Sequence, residues 1–324
     1  MSLTHFPNGI TSFGIPVLGG GGIPAVTGDV YFVDYRNGDD SLYDGKKKTQ
    51  AFKTLGAAYA ACTSNNNDLI LIDGDSTVVE TAIIDWSKNR IHVVGLNGVA
   101  GHYGQGAKVS MGVTTAATDI AVIKNTGVRN TFSNIKFISS NTKDESLYAF
   151  AEGGEFTRFY NCEFYKSTDL DETAAAELLH NGDSAMFYNC TFGSTVNIIA
   201  DNKIRPNVLV SRETITGKVC RDTYFENCLF LSKAGGTEHV AIYGSGATDV
   251  ERMMLLKNCT FINNALSAAT PAHAVGFGAA QTEGTVCLQD CAAFDHTVMA
   301  QAAVGIYVAG AVPTFGTTGV AVAL

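Results

Sequence analysis

Between Phe132 and Phe294 the chain repeats one pattern: a short apolar run, an Asn, a small or apolar residue, one further residue, and Phe. The phrase reads FSNIKF at Phe132–Phe137, FYNCEF at Phe159–Phe164, FYNCTF at Phe187–Phe192, FENCLF at Phe225–Phe230 and LKNCTF at Leu256–Phe261, with a degraded copy, LQDCAAF, ending at Phe294. Its anchors, Asn134, Asn161, Asn189, Asn227, Asn258 and Asp290, are separated by 27, 28, 38, 31 and 32 residues. β-Branched and aromatic phrases bounded by Gly, Asn, Asp and Ser predict strands and turns. A near-regular period of this length predicts a solenoid, in which each coil buries its apolar face only against its neighbours.

Stacking sets equivalent residues of successive coils about 4.8 Å apart. Cys162, Cys190, Cys228, Cys259 and Cys291 are then one internal column. Phe137, Phe164, Phe192, Phe230 and Phe261 are another, two residues on and on the same strand face. The Asn residues fall at a bend, where left-handed geometry is tolerated and the amide can bond along the stack. The separation of 38 predicts an extra external loop between Phe192 and Asn227. The copies are not helical and lack the LxxLxL of leucine-rich repeats, so a parallel β-helix is the expected solenoid.

Upstream, Val30–Val33 predicts a strand and Asn37–Gly45 an acidic loop. Ala51–Cys62 predicts an amphipathic helix with Phe52, Leu55, Ala58, Tyr59 and Cys62 on one face. Leu69–Ile72 predicts a buried strand closed by Asp73–Gly74. This order, VYFVDYRNGDDSLYDGKKKTQAFKTLGAAYAACTSNNNDLILIDGDS, resembles the start of right-handed parallel β-helix proteins of the pectin-lyase-like superfamily, and the likeness extends from Val30 to about Tyr307. It implies a helix that caps the amino-terminal end, where the first coil would otherwise expose an unpaired edge. The expected fold class is all-β: a right-handed, single-stranded parallel β-helix with a short N-terminal capping helix and an extended N-terminal arm. The expected divisions are an arm over 1–28, a cap segment with helix and first coil over 29–76, coils over 77–303, and an apolar strand or cap over 304–324. The superfamily hosts polysaccharide lyases, glycoside hydrolases, phage tailspikes and non-catalytic virion proteins, so the fold does not choose the activity.

Composition narrows the classes. Hydrophobic residues are 46% and charged residues 16%, which argues against disorder. No run of 18 apolar residues exists to span a membrane. A net charge of −9 argues against a general nucleic-acid binder. The eight cysteines include no CxxC pair and no Cys/His zinc spacing, and the seven histidines form no HxH or HExxH. Buried free thiols are therefore expected, with neither a metal nor a cofactor. No GxSxG or Walker loop is present. The amino terminus lacks the basic and apolar regions of a secretory signal, so synthesis in a host cytoplasm is expected.

The first 28 residues are apolar and broken by Pro7, Pro16 and Pro24, which predicts an extended segment with no partner strand of its own. Leu3, Phe6, Pro7, Ile10, Phe13, Ile15, Pro16, Val17 and Leu18 are the candidate anchoring residues, set to dock on another chain or to fold back along the β-helix. The phrase FPNGITSFG at Phe6–Gly14 resembles the amino-terminal segment of bacteriophage structural proteins. That likeness implies a virion-surface protein, a capsid decoration or head-fibre protein. Its implied partners are the major capsid protein or another virion structural protein, and copies of itself, with a trimer as the family-based expectation. The uncharged segment Val304–Leu324 fits a buried cap or subunit interface. The alternative reading is a tailspike-type polysaccharide depolymerase or a non-catalytic adhesin, with a host-surface glycan as ligand.

A β-helix lyase needs an Arg or Lys base and usually Ca²⁺ held by carboxylates, and a hydrolase needs carboxylates about 5–9 Å apart. Asp169, Asp171, Glu172, Glu177, His180 and Asp183 form the densest acidic cluster. It reads either as such a site or, more simply, as a solvated helix over Asp171–Leu179. Asp34, Asp39, Asp40 and Asp44 read as a structural turn before a cation site. Lys136, Arg158, Lys166, Arg221, Lys233, Arg252 and Lys257 are expected to stand singly and face outward. No catalytic residue is assigned.

Overall fold

The computed structural model describes residues 27–96, 104–112, 120–139, 147–166, 175–196, 198–199, 204–212, 218–264, 270–302 and 305–309, with the backbone of Thr11–Ser12 and Ile15–Pro16. Three parallel sheets each gain one strand per coil, in sequence order. Sheet I has ten strands, from Val30–Val33 to Ile306–Ala309. Sheets II and III have eight each, from Thr77–Glu80 to Ala292–Phe294 and from Ile84–Trp86 to Val298–Ala300. The chain winds from sheet I to II to III and back to I, a parallel β-helix as the repeat implied.

The repeat explains the register. Phe137, Phe164, Phe192, Phe230 and Phe261 are paired neighbours along sheet II. All five are almost wholly buried. Their rings lie 5.6, 4.9, 5.0 and 4.7 Å apart, stacked at small interplanar angles. The opening Phe of each phrase forms a second column on sheet I, which the sequence reading did not single out. Phe132, Phe159, Phe187 and Phe225 stack at 5.3, 4.7 and 4.6 Å. The two columns meet edge to face across the core, as at Phe187 and Phe192.

The sheet I column continues into the cap. Phe132 packs on Trp86 at 5.3 Å, and Trp86 stacks on Tyr59 of helix α1 (Leu55–Ala61) at 4.1 Å. The expected apolar face of that helix, Phe52, Leu55, Ala58, Tyr59 and Cys62, is buried throughout. The helix starts later than its periodicity suggests because the Asp40 carboxylate accepts from Lys53 N and Thr54 N, holding that turn open. Thr54 Oγ1 then accepts from Ala57 N at 3.2 Å and Glu80 Oε1 from Leu55 N at 2.8 Å. At the other end the Lys88 ammonium donates to the carbonyls of Tyr59, Ala60 and Cys62 at 2.8, 2.8 and 2.7 Å. The Lys88 cation at the last turn suits the helix dipole.

Three expectations are corrected. Ala176–His180 is a fully buried strand of sheet III and no solvated helix. Its register with Tyr148–Glu152 overrides the helix-forming composition of DETAAAELL. The arm does contain a partner strand: Thr11–Ser12 pairs antiparallel with Ile15–Pro16, with Gly14 in the intervening sequence. The insertion after Phe192 is divided between the II–III and III–I corners, and part of it, Arg205, is buried.

Candidate functional site

The I–II corner is a one-residue bend repeated coil after coil. Asn134, Asn161, Asn189, Asn227 and Asn258 have φ of 58°, 51°, 54°, 53° and 52°, and Asp290 has 53°. Asn is among the few non-Gly residues that accept this geometry. The N–H of each of the five Asn bends donates to a carbonyl of the following coil, as Asn161 N does to Tyr188 O at 3.0 Å. The side chains form their own chain: Asn161 Nδ2 donates to Asn134 Oδ1 at 3.1 Å, and Asn189 Nδ2 to Asn161 Oδ1 at 2.6 Å.

Beside the bend run the expected thiols. Cys162 Sγ donates to Phe132 O at 3.5 Å, Cys190 to Phe159 O at 3.7 Å, and Cys228 to Phe187 O at 3.4 Å. Cys259 and Cys291 repeat the contact with Phe225 O and Leu256 O. Burial drives the thiols of Cys190, Cys228 and Cys259 well above their ordinary value, so they are packing groups and not nucleophiles. All eight cysteines are free, but Cys287 and Cys291 are only half-buried, which departs from the expectation that every thiol is buried.

The III–I corner is charged. Glu155, Asp183 and Arg221 are bridge partners in successive coils. Asp183 pairs with Arg221 at 3.8 Å and Arg252 at 3.4 Å, and Arg252 also meets Asp222 at 2.7 Å. Arg221 meets Glu251 at 2.6 Å, Lys218 meets Glu155 at 2.7 Å, and Arg212 meets Glu283 at 2.7 Å. The cations expected to stand singly are thus mostly engaged. Lys136 pairs with Glu163 and Lys257 with Glu226. Arg158 donates to Thr157 O and Ser184 O, and Lys233 to Val196 O. Lys166 is buried rather than outward.

The acidic cluster read from the sequence is dispersed. Glu177 is buried against Arg205 at the II–III corner, His180 lies in the core, and Asp183 belongs to the charged corner. Asp169, Asp171 and Glu172 lie outside the described residues. The His180 ring meets Thr223 Oγ1 at 2.7 Å, and burial holds it down to about 3. In the preceding coil Glu152 takes hydrogen bonds from Asn125 Nδ2, Gly154 N and Thr157 Oγ1. Burial still pushes its carboxyl up to about 7.

The aspartates of the cap loop cap their own turns. Asp34 accepts from Arg36 N and Asn37 N, Asp39 from Ser41 N and Leu42 N, and Asp44 from Lys46 N. The structural-turn reading accounts for them. Of the anchoring residues, Leu3, Phe6, Pro7, Ile10, Phe13, Val17 and Leu18 lie outside the described residues, and only the backbone of Ile15 and Pro16 is described. Among the described residues no helix is long and apolar enough to cross a membrane.

The outer face of sheet III carries the Lys124–Asp85 ion pair at 3.5 Å and, in the same register row, an apolar stretch at Ala151 and Leu179. Leu178 faces the main core while its neighbour Leu179 joins Ala121, Tyr148, Ala151 and Ala176 in a separate buried cluster.

No family profile and no curated protein matches the sequence. Solved structures do match the fold. A pectin methylesterase from Aspergillus niger superposes with a TM-score of 0.58 at 14% identity, over 89% of this chain and 82% of its own. A pectin methylesterase in complex with a hexasaccharide gives 0.52 at 14%, over 88% and 81%. A rhamnogalacturonan lyase gives 0.47 at 14%, over 84% and 76%. At these identities the first two likenesses show the parallel β-helix fold and nothing finer.

Proposed function

We propose that this chain is a structural protein of a bacteriophage virion, a capsid decoration or head-fibre protein whose β-helix is a stiff projecting body and whose arm over 1–28 is the tether. The observation that carries this reading is the continuity of the columns. Asn bends, thiols and two Phe columns pass from coil to coil, and Asp183, Arg221 and Arg252 of the III–I corner form ion pairs that also cross coils. Such a design resists bending and fraying and needs no ligand. The arm adds many weak contacts, which particle symmetry multiplies into avidity.

The fold of the neighbours favours a second reading, a tailspike-type depolymerase or a glycan-binding adhesin. One experiment separates the two. Full-length protein and a chain beginning at Gly28 are each mixed with particles stripped of this protein and sedimented. The structural reading expects binding of the full chain only, with both chains melting alike and neither releasing sugars from host polysaccharide. Equal sedimentation of both chains would remove the tether, and sugar release would transfer the assignment to the enzyme.

A further inference from the structure

The widened coil holds a buried polar cluster that none of the ladders uses. Lys166 closes a strand of sheet II, Glu177 sits on the next strand of sheet III, and Arg205 and Asn207 come from the inserted loop. All four are buried, with Arg205 and Asn207 each 1% exposed. Arg205 Nη2 lies 3.4 Å from Glu177 Oε1. Asn207 Nδ2 donates to Glu177 Oε2 at 3.2 Å and to Leu231 O at 2.8 Å. Two acceptors on one amide nitrogen fix the orientation of that amide, so Oδ1 points the other way. Burial pushes the Glu177 carboxyl up and the Arg205 guanidinium down, each resisted by the charge of the other.

Two atoms of this cluster have no partner among the described residues: Arg205 Nε, a donor, and Asn207 Oδ1, an acceptor. Both residues line a cavity with about 10 Å³ of room for a water-sized sphere, walled also by Lys166, Glu177, Ser194, Ile199 and Leu231. That is the space of a single water.

We propose that this cavity is a binding site for one structural water, which accepts from Arg205 Nε and donates to Asn207 Oδ1. The chemistry selects water. A cation is repelled by the Arg205 guanidinium and the Lys166 ammonium, and an anion has no proton to give Asn207 Oδ1 and would set its charge against that lone pair. Only a molecule that both accepts and donates satisfies both atoms, and leaving either unpaired in the interior is costly. The bound water ties Arg205 to Asn207 within the inserted loop, and the contacts of both residues with Glu177 join that loop to sheet III. It makes the widest coil as rigid as its neighbours, because Leu178 N also donates to Asn207 O at 3.0 Å and Arg205 O meets His239 Nδ1 at 3.0 Å.

The test is a crystal structure of the full chain that resolves waters, with a parallel crystal soaked in bromide. The expected result is one density peak within hydrogen-bond distance of both Arg205 Nε and Asn207 Oδ1, with no anomalous signal after the soak. An unfilled site, or a bromide signal in it, overturns the proposal. In solution, oxygen-17 relaxation dispersion of the wild type should count one more long-lived water than Arg205→Lys, which keeps the charge and withdraws Nε. Equal counts in two folded proteins would also overturn it.

Discussion

The middle coils and the last coil are built from the same phrase and differ in what they bury. From Phe137 to Phe261 the sheet II column is an unbroken stack of rings, each at most 1% exposed. In the last coil the same position is Ala293, half-buried, and the degraded phrase turns Phe294 outward at 57% exposure. The bend survives, since Asp290 keeps a φ of 53°, but a carboxylate stands where Asn134, Asn161 and Asn189 carry amides that bond along the stack. Backbone register therefore persists where side-chain stacking has lapsed. Register alone needs only strand pairing and a tolerant bend, whereas stiffness needs the same large side chain in every copy.

The sharpest way to break the comparison is to remove one ring from each region. Phe187→Ala opens a cavity between rings 4.7 and 4.6 Å away, and a loss of about 3–5 kcal/mol is expected in urea unfolding. Phe294→Ala, at an exposed site, should fall within about 0.5 kcal/mol of the wild type. Similar losses at both sites would erase the distinction.

Acid should act next most strongly. His180 and His239 are held down to about 3 by burial, below the ordinary histidine value of 6.5. As pH falls through that window the unfolded chain binds protons that the folded core refuses, so stability drops. Each histidine contributes up to about 4–5 kcal/mol at the acid extreme. Glu152 and Glu80, pushed up to about 7, act oppositely. They bind protons in the fold that the unfolded chain has released, so their contribution is full below about 4.5 and is lost as pH rises to about 7. Thermal melts from pH 3 to 7 should show a shallower acid limb in His180→Phe, whose ring suits the edge-to-face contacts with Phe187 and Phe225. An unchanged limb would place the acid sensitivity elsewhere.

The bends offer a smaller contrast. Asn189→Ala forces a side chain with no local hydrogen bond into the left-handed region, and about 1–2 kcal/mol should be lost. Asp290→Asn restores an amide next to Asn258 and should gain a few tenths of a kcal/mol. Calorimetry of the two variants checks the opposite signs. Smallest is the charged corner. Asp183→Asn weakens two part-exposed pairs, and a loss of about 1 kcal/mol or less is expected, shrinking further in 1 M salt.

The fold was legible because the phrase places Asn, Cys and Phe at one structural position in every coil, so sequence spacing and spatial stacking coincide. The second Phe column was equally visible in the phrase. Its extension through Trp86 and Tyr59 was not, since it changes residue type and uses unlike spacing across a corner. The strand Ala176–His180 was misread because its local composition favours helix and only pairing with its neighbours decides otherwise. The site was less legible than the fold. Charge on Lys166, Glu177 and Arg205 reads as surface in any single sequence, and their burial depends on two corners meeting. The ion pairs of the III–I corner likewise join residues from different coils, with no spacing to announce them.

The central claim is that the stacked columns make the coils one continuous cooperative body. Native-state hydrogen exchange, read by mass spectrometry on the wild type and Phe187→Ala, tests it most directly. The account predicts that amides of the sheet strands between Thr131 and Glu226 exchange only through one shared opening, and that the variant accelerates all of them together while the last coil stays fast in both. Acceleration confined to the coil that carries Phe187 would contradict it.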